Sequence, residues 1–137
     1  MSAPGGAAVA PVLASATAAV PAPALVAVGG AGGAVARHLV ASAVDRAGDG
    51  FPLGTLTVNV LGSFVLGLVT FLPAGGDVSL LVGTGACGAF TTFSSFSVAT
   101  VQLWDRGERA RAAAFVVANT VLAGVAVGAA AALAGAG

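Results

Sequence analysis

Four long apolar runs, separated by short stretches of glycine, proline and charge, set the pattern of this chain. They cover residues 24–44, 54–72, 78–104 and 110–133. A helix needs about 20 apolar residues to cross a hydrocarbon core. The breakers lie between them: DRAGDGFPL (45–53) with Gly48, Gly50 and Pro52, a tight turn from Pro73 to Asp77, and DRGER (105–109). The pattern predicts an all-α integral membrane protein with four transmembrane helices in one membrane domain over 23–137. Residues 1–22 read as an Ala/Pro-rich flexible tail, with a cleaved or membrane-associated segment as the alternative. No Lys or Arg precedes Arg37, so a signal peptide's basic n-region is missing, and Pro11, Pro21 and Pro23 oppose a spanning helix there.

The polar positions inside these runs are few and patterned. The first run carries Arg37 and His38 near its C-terminal end and Gly29 and Gly33 at GxxxG spacing. Such spacing lets helices approach closely. Arg37 is either a snorkelling side chain or a cation at the mouth of an anion route; His38 reads as a helix-end polar residue. In the second run Thr55, Asn59 and Ser63 recur every fourth residue and so share a helical face. They serve either as glue between helices or as a polar lining. The fourth run has Asn119 and Thr120 near its middle and Gly124 and Gly128 at GxxxG spacing.

The third run departs from all of this. Its centre, GTGACGAFTTFSSFS (83–97), is rich in glycines and hydroxyls and places Phe90, Phe93 and Phe96 three residues apart. Glycines followed by β-branched Thr91 and Thr92 make a poor helix interior, so the third helix is expected to break at its centre. A break inside a membrane frees carbonyls that need a partner. Broken transporter helices give such groups to a cation, and the carbonyls of Gly88 and Thr91 flank this break.

Composition narrows the function classes. The chain is 58% apolar and 7% charged, with a mean hydropathy of +1.03; a soluble domain carries about 25% charged residues. Zero net charge argues against nucleic acid as a partner. Cys87 is the single cysteine, which excludes an internal disulfide and leaves a small packing residue. The letters GTGACG match a dinucleotide-binding fingerprint, but the strand-helix-strand context is missing. The carboxylates Asp45, Asp49, Asp77, Asp105 and Glu108 all fall in loops or at helix ends, leaving no intramembrane relay for a proton-coupled pump and no catalytic set. The chain is not expected to be an enzyme.

What remains is an inventory of donors: Thr91, Thr92, Ser94, Ser95, Ser97 and Thr100, with Asn59, Asn119 and Arg37. Hydroxyl and amide groups can replace an anion's hydration shell without holding it irreversibly. Phenyl ring edges carry partial positive charge and can add to such a lining. Arg46, Arg106, Arg109 and Arg111 lie on the side of the loops 45–53 and 105–109, and the other side has no Lys or Arg. The positive-inside rule therefore predicts those loops in the cytoplasm and both termini outside, in the plasma or inner membrane.

Three segments, GGAGGAVAR (29–37), GTLTVNVLGSFVLG (54–67) and above all GACGAFTTFSSFS (85–97), resemble the small bacterial fluoride channels of the Fluc (CrcB) type, over roughly residues 28–124. The resemblance implies an antiparallel dimer of four-span subunits with the third helix broken and two fluoride routes along the interface. It implies a structural, untransported sodium ion (Na+) at the dimer axis on the carbonyls of Gly88 and Thr91. Phe93 and Phe96 match the phenylalanines that touch fluoride, Asn59 an asparagine turned toward the pore, Arg37 a vestibule arginine, and Ser94 and Ser95 the hydroxyl track. The expected activity is passive fluoride export across the lipid bilayer.

One position departs from that family. Where its members carry a glutamate after the motif, this chain has Ala99. The arginine bias also predicts insertion in one orientation, whereas an antiparallel homodimer needs both. A homodimer and a heterodimer with an oppositely oriented paralogue both remain open. The rival functions are a small exporter of cationic compounds, which lacks its intramembrane glutamate here, and a non-conducting structural subunit, which leaves the Thr/Ser/Phe concentration unexplained.

Overall fold

A computed structural model describes residues 20–136, which excludes nearly all of the expected N-terminal tail. Among the described residues all regular structure is helical, and four spans are long and apolar enough to cross a membrane. Helix α1 covers Ala22–Arg46 and α2 covers Leu53–Phe71. The third span, Gly76–Asp105, is divided. Its first part, α3, joins a short turn Gly76–Val78, a π-helical stretch Ser79–Cys87 and a last turn Gly88–Phe90; its second part, α4, is Phe93–Asp105. Helix α5 covers Arg109–Gly135.

Local chemistry explains the ends. Pro21 precedes α1 and Pro23 lies in its first turn, where a proline's missing N–H would have had no intrahelical acceptor. Asp45, at the end of α1, accepts a hydrogen bond from the Gly54 N–H at 2.7 Å and so ties the start of α2 to α1. The third span starts earlier than expected, at Gly76, with Asp77 in its first turn, where a carboxylate favours the helix dipole. Gly50 and Gly107, in the two charged loops, have φ of +84° and +80°, values that favour glycine. Arg111 at the start of α5 reaches Glu108 at 2.6 Å and Asp49 at 3.5 Å, so both charged loops sit at one end of the bundle. Arg109 stacks over Trp104 at 5.0 Å at that same end.

Packing sorts the helices into two pairs: α1 lies mainly against the π-helical part of α3, and α2 mainly against α5. The first contact is backbone to backbone. A Cβ on Gly29 would strike the Leu81 carbonyl oxygen, one on Gly33 that of Ala86, and one on Gly85 would lie 2.7 Å from the Val26 carbonyl oxygen. The expected close approach at Gly29 and Gly33 is therefore made against α3. Gly124 and Gly128 on α5 meet nothing within 4 Å, so their spacing is not used inside the subunit. Val58 and Phe115 are fully buried, and Leu103, Ala112 and Phe115 form a core on which Phe51, Leu56, Phe96 and Ala99 pack. Exposed Val28, Val35, Leu39, Val117, Val125 and Leu133 face outward, as they do where lipid is the solvent.

Candidate functional site

The break in the third span falls at Thr91 and Thr92, both extended, with ψ of 159° and 112°. Two extended residues in a membrane free backbone groups that must be satisfied. Each finds a specific partner. The Thr91 N–H and its hydroxyl both donate to the Cys87 carbonyl at 3.0 Å. The Thr91 carbonyl accepts from Arg37 Nη1 at 3.5 Å. Asn59 of α2 clamps Thr92 from both sides: its Oδ1 accepts the Thr92 N–H at 2.8 Å and its Nδ2 donates to the Thr92 carbonyl at 3.3 Å. Thr92 then caps α4, its Oγ1 accepting the Ser95 N–H at 3.1 Å.

One carbonyl is left over by this arrangement. In a continuous α-helix the Thr92 N–H would bond the Gly88 carbonyl; here it goes to Asn59. Gly88 is exposed, and a Cβ there would meet nothing within 4 Å. The π-helical turn before it is a wider coil of the kind that gathers at functional sites.

Beside the break lies a cavity of about 420 Å³ between α2, the break and α5, lined by Asn59, Ser63, Thr91, Thr92, Phe93, Phe96, Asn119 and Thr120 among others. Phe93 is 80% exposed, while Phe96 packs on Phe115 with ring centroids 5.5 Å apart. The two phenylalanines are themselves 5.8 Å apart and tilted by 41°. A second cavity of about 260 Å³ lies on the α1 side of Thr92 and is lined by Arg37, His38, Ser42, Asp45, Thr55 and Ser95. Thr92 borders both cavities.

The polar stripe of the second run is thus divided, Thr55 facing the Arg37 cavity and Ser63 the phenylalanine cavity, with Asn59 at the Thr92 clamp. Of the hydroxyl inventory, Ser97 and Thr100 bond the carbonyls of Phe93 and Phe96 at 3.0 and 2.8 Å within their own helix. Ser94 and Ser95 instead gather on Thr92, with their Oγ atoms 3.3 and 3.1 Å from its hydroxyl. Phe90 does not line either cavity and lies against Gly62 of α2. Arg37, Asn59, Thr91, Phe93, Phe96, Ser94 and Ser95 are therefore brought to one region, while Gly88 lines a further cavity of about 600 Å³ with Leu66, Thr84, Cys87 and Thr91.

Two contributors were not among the expected site residues. Thr92 was only one donor of several, although a threonine just before a helix is an N-cap signal. Asn119 pairs through its Oδ1 with Asn59 Nδ2 at 3.2 Å, and its own Nδ2 is buried without a partner among the described residues. Its signal was an isolated amide near the middle of an apolar run.

The whole of this region lies inside a match to the family model described as "CrcB-like protein, Camphor Resistance (CrcB)", over residues 24–136. The chain is similar to "Fluoride-specific ion channel FluC 2" of Haloarcula marismortui, 59% identical over 76% of this chain and 86% of the relative. It is 53% identical to "Fluoride-specific ion channel FluC 1" of Halobacterium salinarum over 75% of this chain and 85% of the relative. A relative from Sphingopyxis alaskensis, "Fluoride-specific ion channel FluC", is 50% identical over 74% and 86%. A broken third span clamped by an α2 asparagine, with two phenylalanines beside it, together with a match over almost the whole described chain, means that this protein belongs to the CrcB-like family.

Proposed function

We propose that this protein is a fluoride-selective channel that lets fluoride leave the cytoplasm passively and so lowers its intracellular concentration. The observation that carries this reading is the phenylalanine cavity at the Asn59–Thr92 clamp, in a chain whose relatives are named as fluoride channels. Fluoride is small and strongly hydrated, so a selective route must replace water with close donors. Ser94, Ser95 and Thr92 offer hydroxyls, Phe93 and Phe96 offer ring edges, and Arg37 supplies positive potential beside the break.

The functional unit is a dimer. Phe93, Ser94, Ser95, Gly88 and Thr84 are all exposed on one subunit within the third span. Lipid supplies no hydrogen-bond partner to such a polar face, so a second copy or an oppositely oriented paralogue covers it. The Gly88 carbonyl, deprived of its helical donor, fits a small monovalent cation, and the Thr91 carbonyl lies one turn on. These two groups would hold sodium at the centre of the dimer, where its positive charge ties the two breaks together. The Arg37 contact to Thr91 at 3.5 Å is long enough to be exchanged for such an ion. The loops 47–52 and 106–108, which carry or adjoin the arginines, lie on the cytoplasmic side of the plasma or inner membrane.

Reconstitution into liposomes loaded with fluoride tests the reading. Efflux followed by a fluoride electrode is rapid once a counter-ion path is opened, and chloride-loaded vesicles stay silent; equal flux of both anions overturns the proposal.

A further inference from the structure

The seam between α4 and α5 holds a groove of a different character from the polar cavities beside the break. It encloses about 260 Å³ between Thr100 and Trp104 of α4 and Ala112, Ala113, Val116 and Val117 of α5. Thr100 donates its hydroxyl to the Phe96 carbonyl at 2.8 Å, so that group is spent inside its own helix. Apart from the Trp104 indole N–H, the remaining side chains offer only hydrocarbon. Trp104 and Val117 are 54% and 60% exposed. Trp104 lies eleven residues beyond Phe93 on α4, roughly 16 Å along the helix and clear of the break.

Charge collects at the mouth of this groove. Arg109 sits over the Trp104 ring at 5.0 Å, and Arg106 follows the last turn of α4. Glu108 and Asp49 are both engaged by Arg111, and among the described residues neither Arg106 nor Arg109 takes part in an ion pair. With Asp105 as the remaining carboxylate of that loop, the mouth is left net positive. The contact with the Trp104 ring uses the charge of Arg109 but none of its N–H donors.

Each half of this arrangement fits one half of a lipid. A hydrocarbon groove inside a bilayer gains dispersion contacts when an acyl chain fills it, and a tryptophan settles at the level of the headgroups. A guanidinium pairs in bidentate fashion with a phosphate. The geometry points to a binding site for an anionic phospholipid, with one acyl chain between Trp104 and Val116–Val117 and the headgroup held by Arg109 and Arg106. The groove accepts the chain of any phospholipid; the preference for a net negative headgroup comes from the two arginines. This site is independent of the fluoride reading, since it requires no conduction.

Trp104 is the single tryptophan of the chain and so reports on its own surroundings. The test reconstitutes the full chain in phosphatidylcholine vesicles containing a minor share of phosphatidylglycerol. Bromine on the acyl chains of one lipid or the other quenches Trp104 according to which lipid lies against it. The unaltered protein is compared with Arg106→Gln/Arg109→Gln and with Arg46→Gln, which removes an exposed arginine at the end of α1 instead. Each is first checked for a single symmetric elution peak. The expected preference for phosphatidylglycerol is about fivefold, roughly the factor that one arginine near an anionic lipid contributes. It is expected to vanish in the double variant, to persist in Arg46→Gln and to weaken in high salt. Should the double variant aggregate, Arg109→Gln alone is read in the same way. Equal quenching by the two lipids in the unaltered protein overturns the site, as does a preference that survives loss of Arg109 or disappears with Arg46. Quenching by neither lipid means that a second subunit covers the groove, and overturns it as well.

Discussion

The Thr92 N–H donates to Asn59 Oδ1 at 2.8 Å, and the Thr92 carbonyl accepts from Asn59 Nδ2 at 3.3 Å. One side chain from α2 thus replaces the two helical partners that Thr92 gives up, and the third span can stay open at its centre. Asn59→Leu leaves both groups unpaired in an apolar setting. The expected cost is about 1–3 kcal/mol for each unsatisfied buried group. A lowered thermal midpoint in detergent and a loss of fluoride flux check this; an unchanged midpoint means that the clamp does not hold the break.

Phe93 and Phe96 are separable by their packing. Phe93 is 80% exposed and pairs with Phe96 at 5.8 Å, whereas Phe96 pairs with both Phe93 and Phe115, so Phe93→Ile costs the subunit less stability than Phe96→Ile while reducing fluoride flux. Phe96 rests on Phe115 at 5.5 Å, and Phe96→Ile loses an aromatic pair worth about 0.5–1.5 kcal/mol in addition to flux. Thermal unfolding set beside flux distinguishes the two roles.

Gly33 and Gly88 respond oppositely to the same change. Gly33→Ala drives a methyl into the Ala86 carbonyl oxygen, and overpacking of this kind costs about 1–3 kcal/mol. Gly88→Ala meets nothing in the subunit, so the subunit folds normally and the dimer is weakened. Folded yield falls for the first; for the second, the mass of the purified particle falls instead. A normal dimer and normal flux in Gly88→Ala remove the ground for placing a second copy on that face.

Thr92 also begins α4 through its side chain. Thr92→Ala removes the cap on Ser95 N–H and destabilises the protein by about 1 kcal/mol, whereas Thr92→Ser keeps most of that contribution. The order of the thermal midpoints, Thr above Ser above Ala, checks it.

Sodium removal addresses the carbonyls of Gly88 and Thr91. Replacing sodium on both sides by a large organic cation is expected to slow fluoride efflux at constant protein, and restoring sodium to recover it. Indifference to sodium contradicts a structural ion at that position.

The sequence made the spans legible to within about two residues, because a run of apolar residues long enough to cross a membrane has few other solutions. The break was legible for a local reason: glycines followed by Thr91 and Thr92 weaken a helix wherever they stand. The facing of each helix was less accessible. In lipid the outer and inner faces are both apolar, so Val117 and Phe115 carry the same signal although one is exposed and the other fully buried. Gly29 and Gly33 pack on α3, yet Gly124 and Gly128, at the same spacing, pack on nothing in the subunit. The π-helical stretch Ser79–Cys87 left no mark in the pattern of apolar positions, although its backbone at Leu81 and Ala86 lies against Gly29 and Gly33 of α1. Asn59 was recognised as a polar site residue, but its engagement on both sides of Thr92 needs the fold.

The most direct measurement is paired anion efflux from liposomes containing the unaltered protein or Phe93→Ile/Phe96→Ile, read by fluoride and chloride electrodes. The account predicts fast fluoride efflux without chloride efflux from the unaltered protein, and fluoride efflux at least tenfold slower from the double variant. Fluoride efflux that is unaffected by the double substitution, or matched by chloride, contradicts it.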